Sequence, residues 1–276
     1  MKHAEPRNST YAPGHSEREL ERLSLQGQLF EPFTRQLFRQ AGIAAGMRVL
    51  DVGCGSGDVS LLAAELVGRT GEVIGVDRAA AAVDRASQCA QARGAHNIRF
   101  LEGDPAELEF DRPFDAVVGR LVLMYYPDPV AALRKLTTRV RSGGLIAFQE
   151  IDIANCRSMP GAPLFDRSVE LIRRSLGATG ARIDQGLMLY PVFMAAGLPG
   201  PAMRMDAAIA GGPPSAPFLE LVAELIQSLL PAMEQLGIAT AAEVDVPSLA
   251  SRMQDEVVAS KGVVISPALV GAWATR

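Results

Sequence analysis

The densest chemistry in the chain lies in nine consecutive residues, Val49 to Gly57, which read Val-Leu-Asp-Val-Gly-Cys-Gly-Ser-Gly. An apolar run ends in the carboxylate of Asp51, and glycines follow at alternate positions, Gly53, Gly55 and Gly57. Without β-carbons there, backbone can approach a ligand closely and adopt positive φ. A bare strand-to-helix turn rarely needs three glycines. A dinucleotide-binding Gly-x-Gly-x-x-Gly starting at Gly53 would need glycine at position 58, which is Asp58. Asp51 and Asp58 would also flank a pyrophosphate with negative charge, where helix amides should be free of it. The same acids favour a ligand with cationic groups, such as an amino acid that carries an ammonium and a sulfonium.

The elements around this loop alternate strand and helix. Met47–Val52 reads as a continuous apolar strand, followed by a helix over Asp58–Val67 with Ser56 as N-cap and Gly68 as its stop. Glu72–Val76 is a second strand ending at Asp77, and an alanine-rich helix from about Ala79 to Arg93 stops at Gly94. Ile98–Leu101 and Phe114–Val118 are the next strands. Asp128-Pro129 then supplies an N-cap and a first-turn proline for a helix reaching Arg141, ended by Gly143-Gly144. Leu145–Ile151 is a fifth strand. Four βα units in sequence imply a parallel sheet covered on both faces, the doubly wound α/β class.

Flanking segments depart from this rhythm. Ser16 and Glu19 form a capping box for a helix with Leu20 and Leu23, and a second helix runs from Glu31 or Pro32 toward Ala41; together residues 1–43 read as a helical lid. The α/β core spans 44–155, and residues 156–276 hold the remainder with insertions at about 160–180 and 211–260. Pro163–Leu176 reads as a helix, Pro191–Ala196 closes another before Gly197, and Met203–Ile209 is a sixth strand candidate. Gly211-Gly212-Pro213-Pro214 leads into an apolar helix Phe218–Leu230, then a more polar one ending near Ser260, and Gly262–Ile265 offers a last strand.

Composition bounds the function. With 276 residues, 48% of them hydrophobic, the chain can bury a sizeable core without metal or disulfide staples. Its formal charge is −4 and no basic run could track a phosphate backbone, so nucleic acid is not an expected partner. Cys54, Cys89 and Cys156 are too few for a disulfide scaffold, and the N-terminus lacks a hydrophobic signal region, which makes a cytoplasmic location the expectation. No apolar run is read as approaching the roughly 18 residues of a membrane span, so no membrane association is expected.

On the glycine loop, the strand-two acid and the acid after strand three, residues 47–152 resemble the core of a class I S-adenosylmethionine-dependent methyltransferase. The resemblance implies a Rossmann-like fold with a mostly parallel, seven-stranded sheet, and S-adenosylmethionine as cofactor. It also implies roles for particular residues. Asp77, twenty positions after Gly57, would bind both ribose hydroxyls, and Asp104 of Gly103-Asp104 would receive the adenine amino group, since carboxylates accept from such donors. Arg78, Pro105 and Arg120 adjoin these positions and complete the cofactor set with Asp51, Gly53, Gly55, Gly57 and Tyr11. Tyr11 would close over the sulfonium, whose charge an aromatic face attracts.

The segment Gly119–Pro127 resembles the stretch beneath the transferred methyl group, which puts Met124 and Tyr125 against the acceptor, although either is also an ordinary packing residue. Many relatives carry histidine at those places; here the only histidines are His3, His15 and His96. Glu150, ending strand five where open α/β sheets place ligands, is the preferred ionisable candidate, with Tyr125, for orienting the acceptor or removing its proton. A salt bridge or a solvated strand end is the bland alternative for Glu150. Methyl transfer depends mainly on in-line placement, so lack of an obvious base does not oppose it. Arg120 at the strand-four end opposes a hard metal site, despite oxygens at Asp152 and Asn155, and Cys54 reads as a loop spacer. The expected reaction is methyl transfer to O, N or activated C of a small, moderately hydrophobic or aromatic metabolite, in specialised metabolism; the oligomer is open, with a homodimer compatible. The alternatives are a silent cofactor-binding module or partner subunit, and a nicotinamide reductase.

Overall fold

The computed structural model describes residues 17–276, so Tyr11, Ser16 and the first two histidines lie outside the described residues. The core runs β1 (Arg48–Val52), α2 (Asp58–Val67), β2 (Glu72–Asp77), α3 (Ala80–Ala92), β3 (Ile98–Glu102), β4 (Phe114–Arg120), α4 (Pro129–Thr137) and β5 (Val140–Asp152), preceded by α1 (Glu17–Ala41). After β5 come β6 (Arg157–Met159), α5 (Pro163–Ala178), α6 (Gln185–Ala195), β7 (Ala202–Asp206) and β8 (Ile209–Gly211). The chain finishes with α7 (Ala216–Gln235), α8 (Ala241–Val244), α9 (Val246–Ser260), β9 (Val263–Ile265) and β10 (Ala268–Thr275). Seven strands form the main sheet in the order β3-β2-β1-β4-β5-β10-β7, and β10 alone runs antiparallel to both its neighbours. This is the doubly wound, mostly parallel, seven-stranded Rossmann-like fold expected. The order reverses at β1, which pairs with β2 on one side and β4 on the other. A crevice therefore opens at its C-terminal end, where the glycine loop begins.

Several elements differ from the sequence reading, each for a physical reason. The two N-terminal helices are one, α1, with Pro32 inside it. Phe30, Thr34, Leu37, Phe38 and Ala41 are all buried and continue one helical stripe across the proline, so packing outweighs the missing amide. Three helices, not four, make the crossovers: β3 reaches β4 through a loop. Gly57, with φ of 89°, is the N-cap of α2 in place of Ser56. Helix α4 ends at Thr137, and Gly143-Gly144 lie within β5, where a Cβ on Gly144 would stand 2.5 Å from Val140 Cγ1 and 2.7 Å from the Asp115 carbonyl. The Met203–Ile209 strand divides into β7 of the main sheet and β8 of a small sheet, β6-β9-β8, which also takes the expected last strand. The true last strand, β10, is buried on both faces and shows no alternation to betray it.

The second apolar core belongs to the cap. Phe165, Val169 and Ile172 of α5, Leu219, Val222, Ile226 and Leu229 of α7, and Leu249, Met253 and Val257 of α9 form one cluster. Against the sequence expectation, Pro213–Gln235 is long and apolar enough, by length and composition, to cross a membrane; the inward side of α7 is committed to this cluster.

Candidate cofactor and acceptor site

Four strand ends, those of β1, β2, β3 and β4, meet at the crevice. Asp51, fully buried at the end of β1, accepts a hydrogen bond from the Ser60 hydroxyl at 2.5 Å, while its other oxygen, Oδ1, has no partner. Burial pushes its carboxyl up to about 7, against the pull of Ser60 and Arg120. The loop that follows is shaped by its glycines: Gly53, Gly55 and Gly57 have φ of 68°, 52° and 89°. A Cβ on Gly53 would fall 2.5 Å from Val122 Cγ2. Asp77 at the end of β2 clamps the loop, with Oδ2 accepting the Gly55 N–H at 2.9 Å and Oδ1 the Ala79 N–H at 3.0 Å. Each oxygen keeps a lone pair for a further donor.

Asp104, after β3, accepts from the Ala106 N–H through Oδ1 and pairs through Oδ2 with the guanidinium of Arg78. That guanidinium lies 5.2 Å from the centre of the Tyr126 ring, a contact absent from the sequence reading. Pro105 is buried behind Asp104. At the end of β4, Arg120 stands 3.6 Å from Asp58 and donates to Thr34 Oγ1 at 3.2 Å; the Thr34 hydroxyl donates in turn to Gln149 Oε1 at 2.7 Å. Burial lowers the Arg120 guanidinium and raises the Asp58 carboxyl. One buried cation thus faces two acids, Asp51 and Asp58, which leaves the pocket a net preference for a positive ligand group. The ammonium end of S-adenosylmethionine fits that orphaned Asp51 oxygen, and the Cβ-free loop fits its close approach.

Residues 43–176 match the methyltransferase domain family. The chain carries a class I S-adenosylmethionine-dependent methyltransferase domain. Over 122 residues it is 38% identical to the aklanonic acid methyltransferase of Streptomyces sp. (strain C5), covering 44% of this chain and 56% of that protein. Over 138 residues it is 31% identical to the demethylmenaquinone methyltransferase of Staphylococcus saprophyticus, 50% of this chain and 56% of that one. The chain therefore spans little more than half the length of these curated relatives. The solved structure of the YcgJ protein of Bacillus subtilis superposes with a TM-score of 0.57 at 19% identity, covering 88% of this chain and 98% of that one, a likeness of fold.

The acceptor side of the methyltransferase domain is built differently. Glu150 is fully buried, and its carboxylate accepts the amides of Val122 at 3.0 Å, Leu123 at 2.8 Å and Met124 at 3.3 Å. Burial pushes it up to about 7, against those three donors. It is not a solvated strand end, and among the described residues it makes no salt bridge: it shapes the 122–124 turn, which makes it a positioning residue in this geometry. Met124 is buried in the cap cluster, the packing alternative, and its carbonyl accepts the Arg182 N–H. Tyr125 is half-buried with its phenol pushed up by burial among the charges of Arg22, Glu150 and Glu19. Glu19 and Arg22, one helical turn apart on α1, form a buried ion pair at 2.6 Å; the sequence reading assigned Glu19 a capping role and did not single out Arg22. Gln149 signals itself in the sequence as a polar residue inside an apolar strand, whereas nothing there marks Thr34. The Cys54 thiol is buried and desolvation holds it well up, which disfavours the thiolate and supports the reading of a loop spacer. Among the described residues no group of three or more His, Cys, Asp or Glu could hold a metal ion; Asp152 accepts the Ala154 N–H and Asn155 accepts from Arg157.

Proposed function

We propose that the chain methylates O, N or activated C of a small, moderately hydrophobic or aromatic metabolite. The observation that carries this reading is the placement of Met124: the turn after β4 is pinned by Glu150 on one side and sunk into the apolar cap cluster on the other. The cap thus joins the crevice where the cofactor acids converge, and its lining favours an uncharged acceptor. The names of the two curated relatives, for aklanonic acid and demethylmenaquinone, support a small-molecule acceptor, quinone-like in the second case, and a place in specialised metabolism remains part of the proposal.

The cofactor supplies an electrophilic methyl group when bound. The chain's residues do the rest. Asp77 holds the loop through Gly55 and offers its remaining lone pairs to ribose hydroxyls; Asp51 and Asp58 meet the ammonium, and Arg120 pulls against the burial that raises both carboxyls, which favours their ionised form. Asp104, with Arg78, bounds the adenine end. Glu150 fixes the turn that presents Tyr125 to the acceptor, so the rate gain comes from proximity and orientation, with no histidine at 124 or 125. The test is turnover with S-adenosylmethionine and a panel of hydroxyanthraquinones, naphthoquinols, phenols and amines, followed by mass spectrometry. A product heavier by one methylene supports the reading. Tight cofactor binding with no methylated product from the panel or from a metabolite extract would make the chain a silent binding module.

A further inference from the structure

The segment Gln185–Met203 contains no charged side chain. A helix apolar on all sides is normally buried on all sides, yet on α6 Leu187, Tyr190 and Met194 are 52%, 49% and 47% exposed. Their spacing places them along one outward stripe. Beside α6 lies β7, the last strand of the main sheet, paired only with β10 among the described residues. Its register sets Met203 opposite Ala272 and Met205 opposite Val270, two residues of the core packed under α6. Met203 and Met205 therefore share the face of α6, where they are 37% and 51% exposed. Gly200 joins the two groups: a Cβ there would lie 3.3 Å from Tyr190 Oη and 3.8 Å from Met194 Sδ. Five large apolar side chains thus stand exposed on one face of the sheet, beside a strand edge that is open among the described residues, a combination that single-copy proteins avoid.

We propose that this face binds a second copy of the chain, with β7 pairing antiparallel to its own copy across a two-fold axis at Arg204. The only register that pairs all five residues of β7 with all five of the other is centred there. It sets each Met203 opposite Met205 of the second copy, and residues opposite in an antiparallel pair share a face. Four methionines then meet between the two α6 stripes. On the other face, Arg204 already pairs with Asp206 of its own strand, Nε to Oδ2 at 2.6 Å. The two-fold places each Asp206 diagonal to the other copy's Arg204, so two cations at the axis are bracketed by two anions and the four charges sum to zero. A lipid surface would cover the methionines but leave the edge amides and carbonyls unpaired in hydrocarbon. A self-pairing contact also closes on itself without propagating.

Light scattering of the full chain after size exclusion tests this, with circular dichroism melts to check folding. The wild type is expected at twice the 29.3 kDa chain mass. Met205→Lys, at an exposed position, should fall to one chain with its melt retained. Arg204→Glu gives an all-acidic cluster and Asp206→Arg an all-basic one, so each alone should run as one chain and an equimolar mixture should regain the two-chain mass. A single-chain wild type, a two-chain Met205→Lys protein, or a mixture that fails to recover would each overturn the proposal. Binding of the single-chain wild type to phosphatidylcholine vesicles would assign the face to lipid instead.

Discussion

The two halves of the crevice hold their carboxylates in opposite ways. On the cofactor side, Asp77 gives each oxygen a single amide, Gly55 and Ala79, and keeps capacity for a ligand, while Asp51 keeps an oxygen with no partner. On the acceptor side, Glu150 spends its carboxylate on three amides about 26 residues away, and the turn it holds is closed by a cap. One half is a preformed cradle for one ligand; the other is a scaffold whose contents depend on long-range packing. On the proposed function, the contrast separates a cofactor geometry set at the strand ends from an acceptor geometry set by how the cap packs.

The largest expected effect breaks the cofactor half. Asp77→Ala removes the loop clamp and the ribose acceptor together, and should weaken binding of S-adenosylmethionine by about 100-fold, on the order of 3 kcal/mol, by calorimetry. An affinity within twofold of wild type would remove Asp77 from the site. Glu150→Gln should sharpen the comparison by lowering turnover while leaving cofactor affinity nearly unchanged. If cofactor affinity falls as far as turnover, the two halves are not separable.

The pH dependence of stability probes the same two acids. Asp51 and Glu150 have folded-state values raised from 3.8 and 4.5 to about 7. The folded chain then binds more protons than the unfolded one between those limits, so their contribution is complete below about pH 4 and is lost as the pH rises to about 7. Glu150→Gln should flatten that fall by on the order of 3 kcal/mol in denaturant titrations at pH 5 and 8. An unchanged slope would mean that the three amides hold Glu150 ionised throughout. A smaller effect is expected of Thr34→Val, which cuts the link from α1 through Gln149 to Arg120 and should cost about 1 kcal/mol, with Thr34→Ser restoring it. Smallest of all, Cys54→Ala should leave turnover unchanged, and a loss above threefold would reopen its role.

How much of this was legible in the sequence follows the same division. The glycine loop, Asp77 and Asp104 were readable because their chemistry is local: a strand end, a turn and the next strand fix them. Strands β1 to β5 and the α2, α3 and α5 helices followed from period and breakers, whereas the order of the strands in the sheet did not. Glu150 stood out as a carboxylate ending a strand, but its commitment to Val122, Leu123 and Met124 depends on how β4 and β5 lie side by side, which no spacing records. Strand β10 was missed because a strand buried on both faces loses alternation, and α1 was divided at Pro32 because a proline's local cost is visible while the stripe of Phe30, Thr34 and Leu37 across it is a tertiary gain. The burial of the Glu19–Arg22 pair, whose i,i+3 spacing the sequence does record, and the Arg78–Tyr126 contact are likewise products of the fold.

The central claim, that one half binds cofactor and the other positions acceptor, is tested most directly by calorimetric titration of S-adenosylhomocysteine into wild type, Asp77→Ala and Glu150→Gln under one buffer. The account predicts a micromolar-range wild-type affinity, a loss of about two decades for Asp77→Ala and a change below threefold for Glu150→Gln. No measurable binding by the wild type, or equal losses in the two variants, would contradict it.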